Sequence, residues 1–508
     1  MHPGGIQFRV LGVLVIGAIC SVIACTGRTA SGANNGPNTP SQVAVQVTPS
    51  ATEVTTGLSL SVVAKVSGTT NTALVWTVDD IPGGNTSVGS IQGSGGTVTY
   101  AAPSVGGRHT IAATSAADAS ARGAAIITVQ SGLAQAGCAP SPSSSLSANV
   151  RDAAYGAKGD GVTDDTAAIQ RAVDAVAGTG GTVTVPDGTY MVNVLASGST
   201  GIRLGNNMTF SMAPGAVLKA IPNSSGTYAI LAVRSVNRVN IKGGTLLGER
   251  NAHTGSGGEW GMGLSISQSD QVVVEGVTAR ECWGDGFYIT DQSTNVTLCN
   301  VTAEHNRRQG LSVTSVDGLV VRNSTFKNTT GTEPECGIDI EPNNAQTVNH
   351  VLITGCTLTN NAGGGFQCGF NSAFTSSRVL NTVFDQNTVA DNGVNAVNGN
   401  YKQGVKVSHS LGNVSITNNV ITNSLGQGIM VMEYSANTIV SGNTVTGTRL
   451  FNGNTTWTGG GIYISQSPNS SVTNNTVTGN QGLGIWNCSN DLTVVISGNT
   501  LSGNGRNP

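Results

Sequence analysis

The chain has 508 residues, 70 of them glycine, and only 10% of its residues are charged, with a formal net charge of -3. This length predicts more than one domain, and the charge gives no general electrostatic basis for nucleic-acid binding, so no nucleic-acid partner is expected. The many Gly, Asn, Thr, Ser and Val residues favour β-structure with numerous turns.

Residues 1–25 form a predicted export signal. Arg9 precedes an apolar run at 10–23, which is shorter than a membrane span and is followed by small and polar residues. The segment 22–25 resembles a bacterial lipobox, whose cysteine becomes the lipidated N-terminus. We therefore predict lipidation at Cys25 and an exported lipoprotein at the cell surface or outer membrane, held there by this lipid anchor alone. Secretion after ordinary cleavage is the alternative.

Residues 41–131 are predicted to form a small β-sandwich between two linkers, 26–40 and 132–148. Short runs of alternating apolar and polar residues, separated by turn residues, indicate its strands. Their order, with the Thr-Pro-Ser segment that starts at Thr48, resembles that of bacterial immunoglobulin-like domains. The paired cysteines of antibody domains are absent, so Trp76 is expected to pack without a disulfide. We expect this domain to be a spacer rather than a sugar-binding module.

The third predicted domain, 149–508, begins with a short helix. Asp164 and Asp165 occupy helix N-cap positions, and apolar residues then recur at helical spacing from Ile169 until Gly178. The rest of the domain is rich in short β-runs and turns. We therefore expect the helix to cover the open end of the apolar core that these runs build.

A repeated motif follows, in which a glycine precedes an apolar-x-apolar run. Most of the intervals between successive copies are 23 to 28 residues, a period typical of solenoid proteins. The nine glycines are Gly263, Gly286, Gly310, Gly337, Gly365, Gly404, Gly428, Gly461 and Gly484. A second run in each repeat ends in an asparagine, and the resulting column is Asn300, Asn323, Asn387, Asn419, Asn443, Asn475 and Asn499. This pattern predicts a parallel β-helix, with the asparagines in turns.

The start of this domain resembles the N-terminal signature of the pectate lyase superfamily. The matching segments are 155–161, which reads Tyr-Gly-Ala-Lys-Gly-Asp-Gly, and 163–166, 168–170, 181–183, 185–186 and 188–190. The resemblance covers about 150–508 and implies a right-handed parallel β-helix, so the expected fold class is all-β. The superfamily contains rhamnogalacturonase-like, epimerase-like and phage tailspike modules. It implies a polysaccharide partner, but lyases, hydrolases, epimerases and non-catalytic binders all belong to it.

The candidate functional residues concentrate on the outward side of the middle repeats. Within Glu335–Pro342, Ile338 and Ile340 alternate with two carboxylates, so a strand here buries the isoleucines and shows the carboxylates on its other face. The candidate catalytic residues are Asp285, Tyr288, His305, Arg308, Asp339 and Glu341. The candidate substrate-binding residues are Arg307, Glu335, Gln367, Lys402, Lys406 and Tyr463. Elsewhere this face carries Ser, Thr and Gly.

The favoured reaction is β-elimination on a uronic-acid polymer. Abstraction of a proton next to a carboxylate requires a cation that neutralises the carboxylate and a base that takes the proton. We expect Arg307, Arg308 or Lys406 to neutralise the substrate, and Tyr288 or His305 to transfer protons.

Two other enzyme classes are alternatives. Alginate epimerases carry an acidic-Pro-His-acidic motif at the place of 286–292, and its absence argues against close epimerase membership. Hydrolysis would use Asp339 and Glu341, which at i and i+2 lie roughly 6.7 Å apart, near the lower bound for an inverting pair. Asp285 or Glu335 is a substitute for either of them. The motif blocks of polygalacturonases are missing, which weakens hydrolysis of pectin.

A non-catalytic glycan-binding protein or adhesin is a further alternative. An acidic cluster on the same face also suits Ca²⁺, the one cofactor that the sequence suggests. The seven cysteines outside the signal show no metal-ligand spacing, and Cys282 with Cys299 is a candidate bridge in an oxidising compartment. After the last repeat, 503–508 shows no evident cap, so the sequence leaves the oligomeric state open.

Overall fold

A computed structural model of the chain describes residues 42–55, 59–103, 107–130, 144–370, 376–393, 402–410, 412–451, 459–488 and 492–505. The predicted export signal and the lipidation site Cys25 lie outside these ranges, so both stay predictions. No helix within the described ranges is long and apolar enough to cross a membrane.

The N-terminal strands form two five-stranded sheets around one apolar core. The strands are β1 (Ala44–Thr48), β2 (Ala51–Thr55), β3 (Ser59–Ser67), β4 (Leu74–Val78), β5 (Ile81–Pro82), β6 (Gly84–Asn85), β7 (Gly89–Gln92), β8 (Thr97–Ala101), β9 (Gly107–Ser115) and β10 (Arg122–Gln130). The sheet orders are β1-β3-β8-β7-β6 and β2-β10-β9-β4-β5. Trp76 is buried between the sheets and donates from its indole nitrogen to the Gly95 carbonyl at 2.9 Å. A β-sandwich is therefore present, while its relation to immunoglobulin-like domains stays a prediction.

The expected helix is present at the start of the next region. The elements there are β11 (Ser147–Asn149), β12 (Asp160–Asp164), the helix α1 (Thr166–Val176), β13 (Thr182–Val185), β14 (Gly188–Val192), β15 (Thr200–Leu204), β16 (Met208–Met212), β17 (Ala216–Ala220), β18 (Thr227–Arg234), β19 (Asn237–Lys242), β20 (Thr245–Leu247) and the 3-10 helix η1 (Arg250–Ala252). Helix α1 buries Ile169, Val173 and Val176 in the core that the strands share, as its apolar spacing predicts. Asp165 is its N-cap residue, but its carboxylate accepts from the backbone of Lys158 and Gly159 instead.

Among the remaining described residues, all helices and strands that occur are short strands. These are β21 (Trp260–Ser267), β22 (Asp270–Glu275), β23 (Thr278–Arg280), β24 (Phe287–Thr290), β25 (Ser293–Cys299), β26 (Thr302–Glu304), β27 (Leu311–Val313), β28 (Val316–Arg322), β29 (Thr325–Lys327), β30 (Ile338–Ile340), β31 (Thr347–Thr354), β32 (Thr357–Thr359), β33 (Phe366–Gly369), β34 (Arg378–Val379), β35 (Thr382–Asp385), β36 (Thr388–Ala390), β37 (Val405–Ser408), β38 (Val414–Thr417), β39 (Val420–Thr422), β40 (Ile429–Met432), β41 (Ile439–Ser441), β42 (Thr444–Thr446), β43 (Ile462–Ile464), β44 (Ser471–Thr473), β45 (Thr476–Thr478), β46 (Ile485–Asn487), β47 (Val495–Ser497) and β48 (Thr500–Ser502).

Three long parallel sheets run side by side along this region, and each turn of the chain, or coil, adds one strand to each. The first has the order β11-β13-β16-β19-β22-β25-β28-β31-β35-β38-β41-β44-β47, with β34 beside β31, and the second has β12-β14-β17-β20-β23-β26-β29-β32-β36-β39-β42-β45-β48. The third, which we name the site sheet, has β15-β18-β21-β24-β27-β30-β33-β37-β40-β43-β46. Their inward aliphatic side chains form one continuous core. The predicted parallel β-helix is thus confirmed.

Asparagines line one corner of the β-helix in two different columns, where the sequence pattern suggested a single one. Asn387, Asn419, Asn443, Asn475 and Asn499 form a ladder in which every amide oxygen after that of Asn387 accepts from the asparagine of the preceding coil, while that of Asn387 accepts from the Cys356 N–H. The first four of these side chains are buried, at 1% exposure each. Asn300 and Asn323 instead sit in exposed turns at positive φ, a conformation that asparagine tolerates. Their assignment to the same column as the ladder is therefore wrong.

The candidate bridge between Cys282 and Cys299 is also wrong. Cys299 is disulfide-bonded, whereas Cys282 is a buried free thiol. Cys282 lies just before the site sheet, where its backbone N–H donates to the Asn306 side chain at 3.0 Å.

Candidate active site

The outward side chains of the site sheet stack in the register that the sequence predicts. Strand pairing aligns Ser265, Tyr288, Ser312, Asp339, Gln367, Lys406, Met430, Tyr463 and Trp486 in one outward column. On β30 the flanking Ile338 and Ile340 are in the core, so the peptide alternation turns Asp339 outward. Glu341, two residues later, follows the end of the same strand.

Arg308 is the centre of a group of carboxylates on this column. Its Nη2 donates to Glu341 Oε1 at 2.6 Å, and its Nη1 donates to Asp285 Oδ2 at 3.2 Å and to Ser312 Oγ at 3.2 Å. Its Nε lies 3.3 Å from Glu259 Oε2 in an ion pair without hydrogen-bond geometry. We name Glu259, Asp285, Arg308, Asp339 and Glu341 the acidic cluster.

Asp339 is fully buried although it points outward, because neighbouring side chains cover it. Gln309 Nε2 donates to its Oδ2 at 2.7 Å and Gln367 Nε2 donates to its Oδ1 at 3.1 Å. Burial raises the pKa of Asp339 well above its usual range, the negative charge of Glu341 adds to the rise, and Arg308 opposes it. Asp339 therefore lies on the outward face, as the alternation predicts, but is not in contact with solvent.

Asp285 is the second fully buried carboxyl group of the cluster. Burial raises its pKa to about 7, while Arg308 acts in the lowering direction. The other two carboxylates reach solvent, since the Glu341 and Glu259 side chains are 29% and 45% exposed. The acidic cluster therefore combines buried carboxyl groups that hold a proton near neutral pH with exposed carboxylates that are ion-paired to Arg308.

Two members of this arrangement were missed in the sequence. Gln309, which holds Asp339, directly precedes Gly310, just as Asp285 directly precedes Gly286, so the position before each repeat glycine was an available signal. Glu259 lies in the segment 248–259 between β20 and β21, outside the repeat pattern, so no periodic signal marks it.

The segment 248–259 is held in place by a stack of three side chains. The Trp283 ring lies between the Arg307 guanidinium, 3.8 Å from the ring centroid, and the His253 ring, with centroids 3.7 Å apart. Arg307 Nη1 also donates to the Gly258 carbonyl at 2.9 Å, next to Glu259. Arg307 thus lies beside the acidic cluster and fixes the segment that delivers its fifth member.

The base of that stack is a buried polar network. His253 Nδ1 lies 2.9 Å from Glu249 Oε1, which also accepts from the Tyr228 hydroxyl at 2.5 Å. The side chains of His253 and Glu249 are essentially inaccessible to solvent. Through these contacts Glu249 links the segment that carries Glu259 to Tyr228 on β18.

Three further candidates share the face with the acidic cluster. Tyr288 is half-buried, lies next to Ser312 in the outward column and packs against Ala229, Ala232 and Met262. Gln367 belongs to the cluster through its bond to Asp339. Lys406 is aligned with Gln367 on the next strand.

His305 and Glu335 are placed outside the cluster. The His305 side chain is exposed in the turn after β26, and the carbonyl of this residue accepts from Arg250 Nη1 at 2.8 Å. The Glu335 carboxylate accepts the Gly331 N–H at 2.5 Å and so closes its own loop.

Lys402 and Tyr463 are likewise apart from it. Lys402 is buried with its Nζ 3.5 Å from the Phe451 ring centroid, and burial lowers its pKa. Tyr463 is buried edge-on against Trp486, with ring centroids 5.3 Å apart, on β43. Neither residue is placed to act with Arg308.

The acidic cluster is arranged around a guanidinium group and not around a metal position. Among the described residues no three His, Cys, Asp or Glu side chains are placed to hold a metal ion. Three carboxylates turn toward Arg308, whose own positive charge occupies the place that Ca²⁺ would take. The carboxylates as placed do not fit the calcium site that the sequence suggests.

Comparison with known families supports the fold. Residues 147–358 match the family model described as "Rhamnogalacturonase A/epimerase, pectate lyase-like", and residues 337–507 match the model described as "Right handed beta helix region". The resemblance to the pectate lyase superfamily is confirmed by these matches.

Several curated proteins are similar over part of the chain. Protein YclG of Bacillus subtilis (strain 168), named as uncharacterized, is 26% identical over 329 residues, which are 58% of this chain and 54% of that protein. Mannuronan C5-epimerase AlgE6 of Azotobacter vinelandii is 34% identical over 173 residues, which are 32% of this chain and 20% of the epimerase. The chain spans about half the length of the first two curated relatives that it matches.

Two solved structures match part of this chain. The A-module of the Azotobacter vinelandii mannuronan C-5 epimerase AlgE4 has a TM-score of 0.48 and 19% identity, and covers 71% of this chain and 96% of its own. Pectate lyase Pel9A has a TM-score of 0.38 and 14% identity, and covers 65% of this chain and 82% of its own.

Proposed function

We propose that the pectate lyase-like β-helix of residues 147–507 is the catalytic domain of an enzyme that acts on an acidic, uronic-acid-containing polysaccharide. The observation that carries this proposal is the acidic cluster, which sets buried, protonated carboxyl groups beside exposed, ion-paired carboxylates on one outward face. Carboxyl groups whose pKa is raised by burial, set beside ion-paired carboxylates on the same surface, are suited to proton transfer. The predicted export signal is consistent with a polymer outside the cell.

The charge of the acidic cluster permits an anionic substrate. Four carboxyl groups and one guanidinium would carry a large negative charge if all were ionised. Burial raises the pKa of Asp339 well above its usual range and that of Asp285 to about 7, so the negative charge that faces Arg308 comes mainly from Glu259 and Glu341. Glu259 and Glu341 against Arg308 leave one negative charge, which Lys406, aligned with the same column, offsets for an incoming uronate carboxylate.

The reaction that we favour is β-elimination. A base removes the proton at C5, the electron pair of that C–H bond forms a double bond between C5 and C4, and the glycosidic oxygen leaves C4 and takes a proton. Tyr288 is half-buried and lies beside Ser312, to which Arg308 donates, and we assign to its phenol the exchange of a proton with a bound sugar. The Glu341 carboxylate, a member of the acidic cluster, also reaches solvent on this face. Arg308 and Lys406 neutralise the uronate.

Epimerisation shares the first of these steps. If the proton returns to C5 from the opposite side instead of the C4–O bond breaking, the product is the C5 epimer. The mannuronan C5-epimerases named above favour this outcome as a variant of the same chemistry.

Hydrolysis is the second candidate function, and the environments of Asp339 and Glu341 favour it. A protonated carboxyl group and an ionised one at a cleavage site are the acid and the base or nucleophile of glycoside hydrolysis. Against it, Asp339 is fully buried behind two glutamine side chains and would have to become accessible to protonate a glycosidic oxygen.

The test is incubation of the full chain with alginate, polygalacturonate and neutral xylan. Ultraviolet absorbance of the new double bond reports unsaturated uronates, and reducing ends report cleavage. Deuterium uptake at C5 from heavy water reports epimerisation. Absorbance with reducing ends supports β-elimination, deuterium uptake without cleavage identifies an epimerase, and reducing ends alone identify a hydrolase. No change in any of the three signals with any polymer contradicts an enzymatic role on these substrates.

A matched pair of variants ties the activity to the cluster. Glu341→Gln keeps the size of the side chain but removes the charge that faces Arg308, and we expect at least a hundredfold loss of kcat. Glu304→Gln is the control, because Glu304 is also half-buried and ion-paired, to Lys327 at 3.1 Å, but on the second sheet. Equal activity of both variants would remove Glu341 from the mechanism.

A further inference from the structure

Three ring side chains form a row at the corner where strands of the site sheet end. Phe370 follows β33, His409 follows β37, and Tyr434 follows β40, so each belongs to a successive coil. The Phe370 and His409 centroids are 5.9 Å apart, and the His409 and Tyr434 centroids are 6.4 Å apart. We name these three residues the ring row.

The ring row begins one strand away from the acidic cluster. Strand β33 pairs directly with β30, which carries Asp339. Extending this register by two residues sets Pro342, the neighbour of Glu341, opposite Phe370. The row then continues along the β-helix axis, away from the cluster, with one ring in each coil.

The backbone of the ring row is in a conformation that side chains of this size rarely adopt. His409 and Tyr434 have φ values of 54° and 65°, in the left-handed region that favours glycine and asparagine. Coil-to-coil hydrogen bonds hold them there, from His409 N–H to the Glu433 carbonyl at 2.9 Å and from Tyr434 N–H to the Gln466 carbonyl at 2.8 Å. The turn itself does not need a ring, so a ring at this place calls for another explanation.

Exposure indicates what that explanation is. Tyr434 is 65% exposed, so much of its ring is open to solvent, whereas Phe370 is half-buried and supports the row from one side. A polar edge accompanies the rings, because His409 Nδ1 lies 3.3 Å from Glu433 Oε2 and Lys406 is close enough to act on the charge of His409. A protein surface with flat apolar faces and a polar, charged edge is suited to bind the ring of a charged sugar.

Resting on the proposed function, we propose that the ring row binds the sugar units of the acidic polysaccharide on one side of the acidic cluster. Adjacent coils are separated by about 4.8 Å, which is close to the length of one sugar unit in an extended chain. A polysaccharide that lies along the β-helix axis therefore presents one sugar to each coil. Its apolar C–H faces pack on Phe370, His409 and Tyr434, while its reacting unit lies at Arg308.

The test measures binding separately from turnover. Oligosaccharides of alginate and of polygalacturonate, from two to eight units, are titrated against the full chain by calorimetry, and kcat and KM are measured with the same series. In Tyr434→Ala we expect about tenfold weaker binding of the long oligosaccharides, a matching rise in KM and an unchanged kcat. Binding of the disaccharides, which do not reach Tyr434, is expected to stay the same.

Two further variants define the cause. Tyr434→Phe keeps the ring and is expected to bind within about twofold of the unmodified protein. Val420→Ala is the surface control, because Val420 is 44% exposed on the second sheet, and it is expected to bind normally. Since Tyr434 is largely exposed, its removal leaves the core intact, and the melting temperature checks this.

The outcomes separate this inference from the proposed function. Turnover with a length dependence that Tyr434→Ala does not change overturns the ring row and leaves the enzyme proposal standing. Binding that weakens in Tyr434→Ala without any turnover supports the ring row and contradicts the enzyme proposal. If none of the oligosaccharides binds to the unmodified protein, the ring row is overturned as a site for these sugars.

Discussion

Two columns that run along the same β-helix, the asparagine ladder and the outward column of the site sheet, follow opposite rules. In the ladder one residue type recurs coil after coil, and Asn419, for example, bonds to Asn443 through the same amide atoms as the next pair does. In the outward column the residue changes on every strand from Tyr288 to Lys406. A repeated residue gives each coil the same hydrogen bonds and so stabilises the β-helix. An interrupted repeat concentrates charge in one place, and there we propose that the reaction takes place.

Of the changes considered, removal of Arg308 from the acidic cluster is expected to have the largest effect on activity and stability. Arg308→Met leaves the carboxylates of Asp285 and Glu341 without their cation, and removing one partner of a buried ion pair costs about 3–5 kcal/mol of stability. Because the same group is proposed to neutralise the substrate, kcat is expected to fall by about a thousandfold. Urea denaturation and initial rates measure the two effects.

The control for Arg308→Met is Arg280→Met on the second sheet. Arg280 pairs with Glu281 at 3.1 Å where both side chains are about one-third exposed, so we expect less than about 1 kcal/mol of destabilisation and full activity. If Arg308→Met retains more than a tenth of the activity, the chemistry does not take place at the acidic cluster.

A break in the ladder is expected to affect stability alone. Asn443→Ala removes an amide that donates to the Ile416 carbonyl and to Asn475, and it leaves the buried backbone N–H and side-chain amide of Asn419 without the oxygen that they donate to. The free energy of unfolding is expected to fall by about 3 kcal/mol. The kcat of the folded protein is expected to be unchanged, since the ladder lies on a different corner from the cluster.

The neighbouring residue supplies the control for the ladder. Thr444→Ala changes a half-exposed side chain in the next position and is expected to cost less than about 1 kcal/mol. A loss of kcat in Asn443→Ala without loss of stability would show that the two columns are not independent.

The pH dependence of stability distinguishes the ladder from the acidic cluster further, because asparagine side chains do not titrate and the carboxyl groups of the cluster do. Burial raises the pKa of Asp285 from its usual 3.8 to about 7. The native state therefore keeps this proton to a higher pH than the unfolded chain does, and the stability it contributes is complete below about pH 4 and is lost as the pH rises toward 7. This direction is the reverse of that for a salt-bridged surface carboxylate.

Asp285→Asn isolates this contribution. Asparagine resembles the protonated carboxyl group at every pH, so between pH 5 and pH 7 the unmodified protein is expected to lose about 2 kcal/mol relative to the variant. Urea denaturation at the two pH values gives the difference. Parallel behaviour of both proteins would mean that Asp285 is ionised in the native state at pH 5.

The sequence predicts the repeating part of this molecule better than its interruptions. Periodic apolar residues give the β-helix, α1 and the outward register, because each coil repeats the same physical requirement. The sequence pattern does not predict Glu259, because this residue lies in a segment outside the repeat. Nor does it predict the burial of Asp339, which depends on Gln309 and Gln367 from the adjacent coils. Lys402 and His305 are residue types that active sites use, but Lys402 packs against Phe451 and His305 lies in an exposed turn, so neither joins the acidic cluster.

The smallest expected effect tests the distinction between the two kinds of asparagine that the sequence pattern merges. Asn323 has a φ of 49° and an exposed side chain, so its role is to adopt a left-handed turn, not to continue the ladder. Asn323→Gly relieves the cost of that conformation and adds a similar entropic cost to folding, so stability is expected to change by less than about 0.5 kcal/mol. Urea denaturation beside Asn443→Ala measures this. A loss as large as that of Asn443→Ala would mean that the exposed asparagines also hold the coils together, and that repetition, more than burial, determines which asparagines stabilise the β-helix.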